Sequence, residues 1–162
     1  MKPTLLHDID GVLFGHYGPD DAFQLRPGVG DWLRWAHQHF DVVWLTAWKE
    51  PEIRQLLTMV WPRTSTYTML RPPADVRVAD WKRYGSKEAW LLAKVEGKIA
   101  EWYWIDDMIP KRLSGLTRTR CIAVSSEGEY TLLGTRAFLE SLLLTKNSNT
   151  TMSEGRQGSA QA

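Results

Sequence analysis

Asp8 and Asp10 lie in the run Leu5-Leu6-His7-Asp8-Ile9-Asp10-Gly11-Val12-Leu13. Short apolar residues lead into two carboxylates spaced i, i+2, and a glycine follows at once. Carboxylates at that spacing share one side of an ideal strand. Where the strand gives way to a loop they can converge on one ion instead. Two such acids are costly to hold together unless a cation or a proton resolves the repulsion. A hard cation such as Mg²⁺ takes oxygen ligands and suits the pair. The run therefore reads as a buried strand with acids at its carboxyl edge, the edge at which open α/β sheets bind ligands.

Other runs supply partners. Val42-Val43-Trp44-Leu45-Thr46 is a second apolar segment and ends on a hydroxyl. Trp102-Tyr103-Trp104-Ile105-Asp106-Asp107 is a third and ends on two more acids. Lys87 lies between them, at the start of an amphipathic stretch. The order Asp-x-Asp, Thr, Lys, Asp-Asp, each at the end or start of a regular element, resembles the haloacid dehalogenase superfamily of phosphohydrolases and phosphotransferases. The resemblance spans roughly residues 4 to 145.

The resemblance implies a division of labour. Asp8 is the nucleophile, forming an aspartyl-phosphate. Asp10 protonates the leaving oxygen and then activates water. Mg²⁺ is the cofactor, with Asp8, Asp10 (through its backbone carbonyl), Asp106 and Asp107 as the metal-binding set. Thr46 bonds a phosphoryl oxygen and Lys87 balances charge. Substrate contacts are expected from Thr46, Ala47, Trp48, Lys87 and His16, the last in a loop that flaps over the site in this superfamily. The residues alone leave rivals to these roles. Asp8 and Asp10 could form a metal site without turnover. Asp106 and Asp107 could cap a helix, a place aspartate favours. Lys82 and Lys94 compete with Lys87, and Thr46 could be an ordinary strand-end threonine. His7 points away from Asp8 on a regular strand and reads as a packed histidine.

The elements that must position these groups alternate. Strands are expected at 5–8, 42–45, 102–105 and 121–124, with a further strand possible at 66–70. Residues 11–24 read as a loop or short hairpin. Helices are expected from Pro27-Gly28 to Phe40, from Pro51 to Val60, from Ser86 toward Gly97, from Pro110 to near Gly115, and from a cap at Thr135 through Leu143. Alternation of this kind implies a parallel sheet covered on both faces. The expected fold is a three-layer α/β/α sandwich, Rossmann-like with a mainly parallel sheet. Residues 12–27 are too few for a helical cap and 61–85 offer at most a strand and a loop, so the chain resembles a capless member with an open site. Its pattern also resembles a small capless branch associated with nucleic-acid repair domains.

Composition bounds the rest. The chain has 162 residues, enough for one domain with a core, here 1–145. From 146 to 162 the residues are small and polar, and a disordered tail is expected. Net charge is +1, so no global field argues for nucleic acid or membrane, although Arg63, Arg71, Arg77, Lys82, Arg83 and Lys87, which outnumber Asp75 and Asp80 nearby, and Lys111, Arg112, Arg118 and Arg120 could form local phosphate-attracting rims. No apolar run approaches a membrane span. The single cysteine, Cys121, excludes an intrachain disulfide. With no apolar leader after Met1, a cytoplasmic protein is expected. The resulting expectation is a Mg²⁺-dependent phosphomonoesterase acting on a phosphorylated small molecule, nucleotide or polynucleotide end. A phosphotransferase and a non-catalytic phosphate- or metal-binding module are its alternatives. The oligomeric state is left open.

Overall fold

The computed structural model describes residues 1–61, 72–113, 115–125, 127 and 131–154. Its centre is β1 (Thr4–His7), hydrogen-bonded in parallel to β4 (Asp41–Trp44) on one side and β6 (Trp102–Asp106) on the other. β5 (Arg77–Val78) and β7 (Cys121–Ala123) complete a five-stranded sheet in the order β5-β4-β1-β6-β7, all parallel. From β1 the chain builds outward to β4 and β5, then crosses back to β6 and β7. β1 and β6 therefore flank the point where the strand order reverses, the usual ligand crevice of such sheets.

Strand alternation decides which core each residue joins. Leu5 packs with α1 (Val29–His39), α2 (Glu50–Val60) and α5 (Thr131–Glu154), in a cluster that includes Trp32, Leu33, Ile53, Leu57 and Leu139. Leu6 faces the other way, toward α3 (Lys87–Lys94), with Trp90, Leu91, Trp102 and Trp104. His7 returns to the first face. It is fully buried, its Nε2 accepts a 2.7 Å hydrogen bond from the Trp32 indole, and its Nδ1 bonds the Asp8 carbonyl. The packed role expected for it is the observed one. Asp8, next in the alternation, is delivered to the α3 face.

Residues 11–24 do form a hairpin: β2 (Phe14–Tyr17) pairs antiparallel with β3 (Ala22–Leu25). Besides this hairpin and α1, nothing helical is inserted between β1 and β4. Arg26, directly after β3, is buried and anchors the hairpin's base. Its guanidinium donates to the carbonyls of Gly11 (3.1 Å), Val12 (3.0 Å) and Ser125 (2.7 Å) and to Thr131 Oγ1 (3.2 Å). The loop after Asp10 is thereby tied to the β7–α5 connection.

Several expected boundaries shift. The strand considered at 66–70, like Arg63 and Arg71, lies outside the described residues; among the described residues the sheet edge is the two-residue β5. The helix expected from Pro110 to near Gly115 is not formed at 110–113; a short helix, α4, follows instead at Gly115–Thr119. Thr135 does not cap the last helix. α5 starts at Thr131, and Thr135 Oγ1 donates to the Thr131 carbonyl inside it. α5 continues to Glu154, past the boundary at 146 expected for a disordered tail. Each residue added to a nucleated helix gains a backbone hydrogen bond without further nucleation cost. Residues 155–162 lie outside the described residues. Among the described residues, no helix is long and apolar enough to cross a membrane.

The buried His7 and the half-buried His37 give the fold a pH dependence. Burial pushes His7 down to about 3 and His37 down to about 4, whereas the unfolded chain protonates both near 6.5. Unfolding then takes up protons below about pH 6.5. The stabilisation present above that pH is lost on acidification, by up to about 1.4 kcal/mol per pH unit for each histidine. Asp8 and Asp107 act oppositely at lower pH, since burial raises both carboxyls, Asp8 to about 6. The histidines are therefore least opposed between about pH 7 and pH 6, where the melting temperature is expected to fall on acidification, and less steeply in His37→Gln. A melting temperature that rises from pH 7 to pH 6 would contradict the neutral histidines.

Candidate active site

The strand register brings the acids together. Asp8 N–H donates to the Ile105 carbonyl (3.2 Å) and Leu45 N–H to the His7 carbonyl (2.9 Å), which sets the ends of β1, β4 and β6 side by side. Asp8 and Asp106 thus emerge as neighbours, and both are buried. Asp106 shares its face with Trp102 and Trp104 by strand period, and the Trp104 indole donates to Asp106 Oδ2 at 3.2 Å. Asp106 Oδ1 accepts the Met108 N–H at 2.8 Å, so this aspartate closes a turn and does not cap a helix.

Lys87 fills the space between the two buried carboxylates. Its Nζ lies 2.7 Å from Asp8 Oδ2 and 2.7 Å from Asp106 Oδ2. The lysine is delivered by the start of α3. Gly85 takes a left-handed φ of 81° just before the helix, and Ser86 Oγ accepts the Ala89 N–H at 3.1 Å as the expected N-cap. Lys82 goes elsewhere: its Nζ lies 3.4 Å from the Ala47 carbonyl and over the Trp81 ring. Lys94 Nζ sits 5.6 Å from the Tyr84 ring centre.

Asp107 completes the cluster. Carboxylate oxygens of Asp8, Asp106 and Asp107 lie within 4.8 Å of one another. Three carboxylates face one ammonium, and the ionisation equilibria register the imbalance. Burial raises Asp8 to about 6, against the pull of Lys87 and with a further push from Asp106. Asp107 is raised by burial and then by Asp106. Burial works to lower Lys87, but the two carboxylates outweigh it and its pKa is raised overall. Hard oxygen donors with surplus negative charge fit a divalent cation of the Mg²⁺ type.

Asp10 stands apart from this cluster. Its carboxylate is exposed, and both its oxygens lie 3.2 Å from the Trp48 indole nitrogen. Its side chain lines the cleft of about 430 Å³ above the acids, together with Trp81, Gly85 and Arg112. Thr46 is buried at the end of β4, where its carbonyl accepts the Trp81 indole N–H (2.8 Å) and its Oγ1 the Trp48 N–H (3.4 Å). Ala47 and Trp48 follow on the rim. His16 is not brought to the acids. It lies further out on the hairpin, against the Phe23 ring, with Nδ1 3.0 Å from the Asp21 carbonyl. The basic rims are largely engaged by the protein itself. Arg112 pairs with the buried Glu88, Arg77 with Asp41 and Asp75, Arg83 with Asp80, and Arg120 stacks over Trp102.

Two supporting residues escape a reading of the sequence for chemistry alone. One is Arg26, whose isolated position before Pro27 carries no signal of its contacts. The other is Gly11, with φ 71°. A Cβ built there would stand 2.2 Å from both Cγ and Oδ2 of Asp107. The backbone must approach Asp107 this closely, and only glycine permits it without strain. Gly11→Ala is therefore expected to push Asp107 out of the cluster and weaken Mg²⁺ or Mn²⁺ binding about tenfold or more, measured by titration calorimetry, as loss of ligand-orienting contacts generally does. Unchanged affinity in a folded variant would contradict this packing.

Residues 4–129 match the family described as the HAD domain in Swiss Army Knife RNA repair proteins. No curated protein and no solved structure shows significant similarity to the chain. Among the described residues the match covers the hairpin, the parallel sheet and α1–α4, and the α/β architecture agrees with it. The chain belongs to this HAD domain family, and through it to the haloacid dehalogenase superfamily.

Proposed function

We propose that the chain is a Mg²⁺-dependent phosphomonoesterase that removes a phosphoryl group from the end of an RNA strand through an aspartyl-phosphate on Asp8. The observation that carries this reading is the buried Asp8 carboxylate, held at 2.7 Å by Lys87 beside Asp106 and open to the cleft on its other side. The RNA end rests on the family's description, which places such domains in RNA repair proteins. It is supported by a site with no helical cap between β1 and β4, wide enough for a chain terminus. A cytoplasmic setting, which suits the unpaired thiol of Cys121, belongs to the same reading.

The reaction follows from the placement of the side chains. Asp8, Asp106 and Asp107 would hold a divalent cation, which when bound would neutralise charge on the phosphoryl oxygens. Asp8 must be ionised to attack phosphorus, and the Lys87 ammonium favours that form against burial. As the new Asp8 O–P bond forms, the bond to the leaving oxygen breaks. Asp10, oriented by the Trp48 indole, gives that oxygen its proton. Water then attacks the acyl phosphate, Asp10 takes up the proton released, and Asp8 leaves as a carboxylate with inorganic phosphate as product. Thr46 Oγ1, accepting from Trp48 N–H, has its own proton to offer a phosphoryl oxygen. Lys87 stays charged throughout, which matches its raised pKa.

Release of inorganic phosphate from 3′- or 5′-phosphorylated oligoribonucleotides, dependent on Mg²⁺ and stopped by chelation, tests the reading. Failure with every phosphorylated strand would overturn the RNA substrate. Asp8→Asn is expected to abolish turnover while keeping the fold, because an amide cannot form the acyl phosphate and one buried charge is removed. Lys87→Met is expected to cut turnover strongly and to move the acid limb of the pH–rate profile upward, since the group that lowers the Asp8 pKa is gone. Lys82→Met should leave that limb where it is. If Lys82→Met shifts the limb and Lys87→Met does not, the charge-balancing role belongs to Lys82.

A further inference from the structure

Beside the acidic cleft lies a second one, between the β2–β3 hairpin and α2, with a volume of about 580 Å³. Phe14, Trp48, Leu56 and Met59 form its apolar walls, and Glu52 and Gln55 present polar groups from α2. Asp10 lines both clefts, so the two adjoin at the proposed general acid. The mechanism above makes no use of this space. We propose that it is a nucleobase subsite, in which the base of the nucleotide carrying the scissile phosphate stacks on Trp48. The proposal rests on the phosphohydrolase reading.

The walls fit a flat ring. Trp48 is held in place by its indole bond to Asp10 and by the Phe14 ring, whose centre is 5.7 Å away. A pre-oriented aromatic face next to the reacting phosphate is what base stacking needs. The volume falls within the range of small-molecule sites. Charge excludes the alternative of a second phosphate. The cleft carries the carboxylates of Asp10 and Glu52, and no lysine or arginine lines it among the described residues. Glu52 Oε2 accepts the Lys49 N–H at 2.7 Å, and a carboxylate retains further acceptor capacity. With the Gln55 amide beside it, Glu52 suits the N–H donors on the edge of a base. Across Trp48 lies a groove lined by Lys49, Lys82, Arg83 and Asp80; Arg83 is paired with Asp80, and the positive charge left on Lys49 and Lys82 would attract the next backbone phosphate of a strand.

The test compares phosphorylated oligoribonucleotides whose terminal base is present or replaced by an abasic ribose, with acetyl phosphate as a ringless substrate that reports chemistry alone. kcat/KM is expected to be about tenfold or more higher with the base than without it. Trp48→Ala should collapse that ratio to near one, and Trp48→Phe, which keeps an aromatic face, should retain most of it. Equal kcat/KM for the two strands in the wild-type protein would overturn the subsite. So would turnover of acetyl phosphate with neither strand accepted. If nothing is hydrolysed, the phosphohydrolase reading fails. The subsite is then decided by equilibrium binding of the two strands to the Mg²⁺-loaded protein, with equal affinity overturning it.

Discussion

The ion triad Asp8–Lys87–Asp106 is the interaction on which the site depends. Two carboxylates are buried at adjacent strand ends, and a single ammonium 2.7 Å from each makes their ionised forms tolerable. Burying charge is costly, and breaking such a set by removing one partner commonly costs about 3–5 kcal/mol. Neutralising an acid, by contrast, relieves repulsion. The protein accepts this cost at the one sheet edge where its chemistry is proposed to occur. The residual charge, with Asp107 included, leaves the cluster able to take a cation as well as a lysine.

Strand period explains why the triad forms where it does. Leu5 and His7 enter one core, Leu6 and Asp8 the other, so Asp8 must meet the helix that covers the second face. That helix is α3, and Lys87 is its first residue. Trp102, Trp104 and Asp106 obey the same parity on β6, which places the Trp104 indole against the Asp106 carboxylate. A one-residue slip in either strand would send an acid into the opposite, apolar core. Hydrophobic patterning therefore sets the position of the charged groups before any charged contact is made.

Much of this was legible in the chain itself. The apolar runs ending in Asp8, Thr46 and Asp106, the Ser86 cap and the hairpin after Gly11 all follow from local chemistry, and the parallel sheet follows from their alternation. What was not legible depends on long-range geometry. Arg26 bonds groups up to 105 residues away in sequence, and nothing around it announces those partners. The Gly11–Asp107 approach needs the β1 and β6 loops in register. The place of His16 after the first motif suggests a substrate contact; the packing of its ring against Phe23 on the hairpin could not be read from the chain.

Direct detection of the covalent intermediate tests the central claim most simply. Wild-type protein would be mixed with Mg²⁺ and a radiolabelled 3′- or 5′-phosphorylated oligoribonucleotide, quenched in acid during turnover, digested and mapped by mass spectrometry. The account predicts a phosphoryl group on Asp8, labile to hydroxylamine as an acyl phosphate is, and no label in Asp8→Asn. Steady turnover with no label on Asp8, or label on another residue, would contradict it.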